Sequence, residues 1–380
     1  MGAKDIFIIA GENSGDLHGS NLVRELLKMN PELRITGFGG EQMKQAGTHL
    51  LANIVDRLAI IGLTGIIKNA ERLYRLYRKA VKFFDEVKPA AVVLIDYPGF
   101  NFKIMKAARK RNIPVIYYIM PQVWAWHHSR IYTLKEQTAR LLVVFPFEKN
   151  MCDTYNIEQA RYVGHPLLDV INLTMTREQV FEKFNLDPKR KLIGLLPGSR
   201  KPEIDRLLPG MLGAAERIQK AMPDVQFVLP RASSIKQELI QYYLSASDVD
   251  VKVVDAFRYN VRNAMDFALV KSGTSTLETA ILGCPMVIVY KVSFLAWIIA
   301  KSLVKLPYIG LVNIVAGEMI VPELLQDEAT PMNIADKTLE LLGDEKRLEN
   351  VRYALQKVTE KLGGPGASRR AAEQVLEVVK

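Results

Sequence analysis

A carboxylate, a guanidinium and a run of hydroxyls stand in this chain where they could carry out group transfer. Asp96 follows the apolar run Ala91–Ile95 and opens the turn Asp96-Tyr97-Pro98-Gly99-Phe100-Asn101. A carboxylate there can take a proton, or simply cap its own turn. Arg200 closes Leu195-Leu196-Pro197-Gly198-Ser199-Arg200, and its forked donors suit a diphosphate. A surface ion pair with Glu203 or Asp205 is the competing use. In Ser272-Gly273-Thr274-Ser275-Thr276, Gly273 lets a ligand approach the backbone, and the hydroxyl residues open a helix whose N–H groups suit a phosphate. Glu278 has two readings: it closes an S-x-x-E capping box with Ser275, or it accepts the hydroxyls of a ribose. Trp124 and Trp126 suit a sugar face or a core, and Asn101 reads as a helix-start residue.

These residues need strand ends to hold them. Residues 267–270 read as a strand, 276–282 as a helix stopped by Gly283-Cys284-Pro285, and 286–290 as a second strand. Apolar runs at 5–10, 34–38, 91–95, 114–119, 141–145, 191–196, 226–229 and 251–254 alternate with helical stretches. That alternation predicts α/β architecture with parallel, doubly wound sheets. The rhythm pauses after Gly164-His165-Pro166. The expected division is an acceptor-binding Rossmann-like domain over 1–168 and a donor-binding one over 169–345, facing across a cleft. Helices over 346–380 are expected to pack back on the first.

Composition narrows the classes. Lys and Arg number 51 against 41 Asp and Glu, which favours anionic partners. Nucleic acid is set aside, because no recognition motif or interleaved aromatics accompany the charge. Two cysteines in unrelated contexts point to a reducing compartment, and no signal peptide is expected ahead of the first strand. No run of 18 apolar residues occurs, so no span is expected. Neither G-x-G-x-x-G nor G-K-[ST] is present. His127 and His128 lack metal-ligand spacing, and Asp248-Val249-Asp250 sits in a polar link read as a solvated turn. No metal and no cofactor is expected.

Eight motifs stand in order: AGENSGD (10–16), DYPGFN (96–101), PQVWAW (121–126), FPFEK (145–149), GHP (164–166), LLPGSR (195–200), SGTSTLE (272–278) and VN (312–313). Together they resemble the lipid-A-disaccharide synthase family, glycosyltransferases of the GT-B fold. The resemblance implies an inverting, metal-independent transfer of diacylglucosamine from its UDP ester to the 6-hydroxyl of diacylglucosamine 1-phosphate. It implies Asp96 as general base, and Arg200 with Ser199 and Ser272–Thr276 around the diphosphate. Glu278 would take the ribose, and Asn313 would have a donor-side role. Gly11, Glu12, Ser14, Gly15 and Asp16 would shape the acceptor side, with Asn101 and Trp124. The family often carries Ser-Pro-Ser-Val-Trp-Ala-Trp where this chain has Met120-Pro121-Gln122-Val123-Trp124-Ala125-Trp126. A UDP-N-acetylglucosamine 2-epimerase on the same two-domain plan is the alternative. Oligomeric state is left open.

Acylated substrates imply work at a bilayer. On a helix over 68–84, Lys68, Arg72, Arg75, Lys79 and Lys82 recur every three or four residues as a stripe read as wholly cationic. Arg72, Arg75 and Lys79 are the expected contacts with an anionic inner-membrane surface, and Leu58–Ile67 the expected lip for acyl chains. The expected location is cytoplasmic, peripheral on the inner face of that membrane.

Overall fold

The structure is a computed structural model describing residues 4–55, 66–293, 297–298 and 306–379, with only the backbone of 66–69. Contacts divide the chain into one unit of 1–169 with 362–380 and a second of 170–361. The first unit is built on β1 (Asp5–Ala10), β2 (Arg34–Gly39), β3 (His49–Asn53), β4 (Ala91–Ile95), β5 (Val115–Tyr118), β6 (Arg140–Val143) and β7 (Ala160–Tyr162). They pair in the order β3-β2-β1-β4-β5-β6-β7, all parallel. The second is built on β8 (Lys191–Leu196), β9 (Val225–Pro230), β10 (Val251–Val254), β11 (Phe267–Lys271), β12 (Met286–Tyr290) and β13 (Glu323–Leu325). Their order is β10-β9-β8-β11-β12-β13, again parallel.

Central strands are continuous apolar runs because helices cover both sheet faces. All of β4 is buried, and Phe7 packs edge-on against Phe38 and Phe84 with ring centroids 5.3 and 5.2 Å apart. β3, β7 and β13 had no signal in the sequence. They are short edge strands of mixed burial, too brief to show a period.

Each sheet reverses its winding beside its first strand. β1 lies between β2 and β4, and β8 between β9 and β11. Crossovers leave such a point to opposite faces, so a crevice opens beyond the strands' carboxyl ends. Register sets which residues meet there. Ala10 pairs with Ile95, so Gly11 and Asp96 leave the first sheet side by side. Leu196 pairs with Val270, so Pro197 and Lys271 leave the second side by side.

Two expectations change. Helix Glu345–Lys361 buries Leu348, Val351, Leu355 and Val358 within the second unit, against helices Thr274–Ile281 and Leu311–Ala316. Only helix Ala367–Val379 joins the first unit, packed on Asn13–Met29. Asp169 accepts the N–H of Ser368 at 2.7 Å, and Arg370 donates to the Val163 carbonyl at 2.8 Å.

The cationic stripe is also less uniform than its spacing suggests. Helix Ile66–Val87 carries Glu71, Asp85 and Glu86 as well. Arg75 lies 3.6 Å from Glu71, Lys82 lies 3.6 Å from Glu86, and Lys79 donates to the Leu51 carbonyl at 2.9 Å. Its apolar face, with Leu76, Ala80 and Phe84 buried, covers the sheet. The lip expected at Leu58–Ile67 lies outside the described residues up to position 65; Ile66 and Ile67 begin the helix. Among the described residues no helix is long and apolar enough to cross a membrane.

Candidate active site

The first unit's site is built around a strained turn. Asp96 and Tyr97 both have left-handed backbones, with φ of 43° and 46°. Two successive non-glycine residues there persist only when their surroundings hold them. Asn101 Nδ2 and the Tyr117 hydroxyl both donate to the Asp96 carbonyl at 2.7 Å, and the Asp96 N–H donates to Tyr118 at 3.1 Å. Asn101 is thus a clamp on the turn rather than a helix start. The Tyr97 ring lies across Gly11, where an added Cβ would come within 2.4 Å of it. Burial pushes the Asp96 carboxyl up to about 6, and the nearby Glu12 charge pushes the same way. A half-buried carboxylate that titrates just below neutral pH is suited to proton transfer.

Of the AGENSGD residues, Gly11, Glu12 and Ser14 stay at the switch point, and buried Gly15 packs on Ala10. Asp16 turns into the fold. Its carboxylate accepts the N–H groups of Gly40 at 2.6 Å, Gln42 at 3.0 Å and Met43 at 3.2 Å. That caps helix Glu41–Gln45. Trp124 is half-buried, its ring edge-on to Phe147 with centroids 5.2 Å apart. Its indole N–H donates to Glu148 Oε1 at 3.0 Å.

Glu148 is the residue that sequence reasoning missed, although FPFEK was in view. It is 1% exposed, and its Oε2 accepts from Val144 at 3.1 Å and Phe145 at 3.2 Å. Burial pushes its carboxyl up to about 7 against those donors, and the Asp96 charge adds to the rise. The usable signal was a glutamate inside an aromatic run. His165 is buried too. Burial holds its imidazole near 3, and Nδ1 accepts the Leu167 N–H at 3.2 Å.

In the second unit, loops 197–200 and 272–275 are tied together. Lys271 Nζ lies 3.0 Å from Glu203 Oε1, while Glu203 Oε2 accepts from Ser199 at 2.9 Å and Arg200 at 3.2 Å. Burial pushes the Glu203 carboxyl up, but the Lys271 ammonium and these donors outweigh it, and the carboxyl lies below its ordinary value. Arg200's charge acts in the same direction. Asp205, the other expected rival for Arg200, pairs with Lys201 at 2.6 Å. Gly198 has φ of 121°, and a Cβ there would meet Glu203 Oε2 at 2.3 Å.

Helix Thr274–Ile281 starts two residues before its predicted position. Gly273, with φ of 144°, is its N-cap, and no side chain caps it. Glu278 therefore closes no capping box. Arg262 forms an ion pair with its Oε2, and the Tyr259 hydroxyl donates to Oε1 at 3.1 Å. Burial pushes the Glu278 carboxyl up, but Arg262 and Arg258 prevail and keep it low and charged. Ser272 and Thr276 spend their hydroxyls on the carbonyls of Ile309 at 3.1 Å and Gly273 at 2.8 Å. Thr274 is exposed and Ser275 half-buried at the helix start.

Asn313 is fully engaged. Nδ2 donates to Val321 at 2.9 Å and Glu323 at 2.8 Å, while Oδ1 accepts from Ile320 at 3.0 Å and Val321 at 3.1 Å. It can shape this end of the sheet but has no bond left for a ligand. Asp248 and Asp250 are exposed in a turn, as read from the sequence.

Against known proteins the likeness spans the chain. The family model described as lipid-A-disaccharide synthetase matches residues 6–379. The lipid-A-disaccharide synthase of Syntrophus aciditrophicus is 40% identical, covering 100% of this chain and 99% of that protein. That of Geobacter metallireducens is 41% identical, covering 99% and 97%. Among solved structures, a protein described as a putative UDP-N-acetylglucosamine 2-epimerase from Listeria monocytogenes superposes with a TM-score of 0.70 at 13% identity, covering 100% and 96%. MurG of Acinetobacter baumannii superposes with a TM-score of 0.59 at 14% identity, covering 98% and 99%. Identities this low speak for the GT-B fold alone, and the epimerase alternative has no more than that behind it. Full-length identity near 40% with the synthases is of another order: the chain belongs to the lipid-A-disaccharide synthetase family.

Proposed function

We propose that the first unit holds the acceptor with Asp96 as its base, and that the second holds UDP through Arg200 and the loop 272–276. The enzyme is a hexosyltransferase, as its family is. It moves 2,3-diacylglucosamine from its UDP ester to the 6-hydroxyl of 2,3-diacylglucosamine 1-phosphate, giving the β-1,6 disaccharide 1-phosphate and UDP. Asp96 takes the 6-hydroxyl proton while that oxygen attacks the anomeric carbon from the face opposite UDP, hence inversion. Arg200, Lys271 and the start of helix Thr274–Ile281 meet the charge gathering on the departing diphosphate, so the mechanism calls on no metal. Glu278, kept ionised by Arg262, accepts the ribose hydroxyls. Gly11, Glu12 and Ser14 border the acceptor, and Asn313 and Asp16 act only by holding loops.

One observation carries this reading: the carboxylate titrating near 6 stands at the switch point of the first sheet. Mass spectrometry of products from both acylated substrates, each omitted in turn, tests it. The disaccharide should need both. An epimerised sugar from UDP-N-acetylglucosamine alone would replace the reading with the isomerase one.

Both substrates bear acyl chains, so the proposal extends to peripheral attachment at the inner membrane face. Helix Ile66–Val87 keeps six basic residues against three acidic ones. Exposed ion pairs within a helix are worth only about 0.3–0.5 kcal/mol, so Glu71 and Glu86 do not cancel its attraction to anionic lipid. Flotation with anionic vesicles should fall in an Arg72→Glu, Arg75→Glu, Lys79→Glu variant, and more weakly in high salt. Equal flotation of variant and parent would remove this helix from the interface.

A further inference from the structure

Glu148 uses its two carboxylate oxygens differently. Oε2 does what a glutamate at the third position of a helix ordinarily does, closing the N-terminus of Pro146–Thr154 through Val144 and Phe145. Oε1 is not needed for that. It reaches from the first turn of that helix to the loop after β5 and holds the Trp124 indole N–H. The indole is also fixed edge-on by Phe147, yet the residue stays half-buried, leaving part of its surface accessible. Burying a carboxylate is costly, and a cap alone could be made by a neutral glutamine.

We propose that Glu148 is a positioning residue for the acceptor: it fixes the Trp124 indole as the plate on which the acceptor glucosamine ring rests while Asp96 takes its proton. This rests on the acceptor reading of the first unit. The Asp96 charge raises the Glu148 carboxyl, and Glu148 in turn raises the Cys152 thiol of its own helix. The Glu12 charge, from the loop after β1, raises Asp96, and the Tyr117 hydroxyl of β5 holds the Asp96 carbonyl.

Glu148→Gln separates the two uses. Its amide oxygen can keep the cap, which leaves its NH2 facing the indole N–H, donor against donor. The expected result is an acceptor KM raised about tenfold with the UDP-sugar KM unchanged. The acid limb of kcat/KM should stay in place, because a carboxyl lifted to about 7 has already taken its proton when pH falls through the Asp96 value of about 6. Trp124→Phe should raise the acceptor KM in the same way without moving the limb. A Glu148→Gln protein that melts like the parent, with acceptor KM within about twofold, overturns the proposal. If Glu148→Gln does not fold, Trp124→Phe decides alone, and an unchanged acceptor KM overturns it. Failure of the base assignment would show instead as normal turnover in Asp96→Asn, whatever the Glu148 variants do to KM.

Discussion

Replacing Asp96 by Asn is expected to lower kcat by about 10²- to 10⁴-fold, the worth of a general base, with UDP-sugar affinity unchanged. Asparagine keeps the shape and tolerates the left-handed backbone that Asp96 adopts at φ of 43°. It cannot take the proton. The parent's kcat/KM should fall as pH drops through about 6, the value to which burial and Glu12 push the carboxyl. In the variant that limb should vanish. Stability should respond in the opposite sense. A carboxyl whose pKa is raised on folding binds more protons folded than unfolded. Its contribution to stability therefore falls as pH rises from the ordinary carboxylate range through 6. Asp96→Asn removes that cost at neutral pH, so its melting temperature should equal or exceed the parent's. Near-parental turnover would take Asp96 out of the chemistry, and lost UDP-sugar binding with early melting would make it structural.

Arg200→Ala is expected to cost kcat/KM about 10- to 150-fold, from roughly 1.5–3 kcal/mol for a charge-assisted hydrogen bond. The loss should appear as weaker inhibition by UDP, with the acceptor KM unmoved. Alanine keeps the backbone N–H that Glu203 accepts, so the loop remains capped. Arg200→Lys should recover only part, since an ammonium is a point charge and not a fork. UDP inhibiting variant and parent alike would take the guanidinium off the diphosphate.

How much of this was legible depends on whether a residue's role is set by its neighbours in sequence. Buried strands such as Ala91–Ile95 announce themselves, since an apolar run between turn signals has few other folds open to it. The residues just beyond such strands are then candidates by position, which is how Asp96, Arg200 and the 272–276 loop were found. The short edge strands could not be read, having too few residues to show a period. Nor could side-chain partners. Asp16 and Asn313 sit in functional-looking motifs, yet spend their hydrogen bonds on backbone groups, and for Asn313 also on the Glu323 carboxylate, that only the folded chain brings to them. Glu278 looked able to cap its own helix until Gly273 took the cap and Arg262 the carboxylate. Glu148 lay inside FPFEK with no role of its own to read. The role proposed for it comes from Trp124, brought to it by the fold, and from the burial that lifts its carboxyl to about 7. Local pattern determines elements and strand ends because it acts within a few residues. Which polar group meets which is decided by strand order and register, which join residues far apart in the chain.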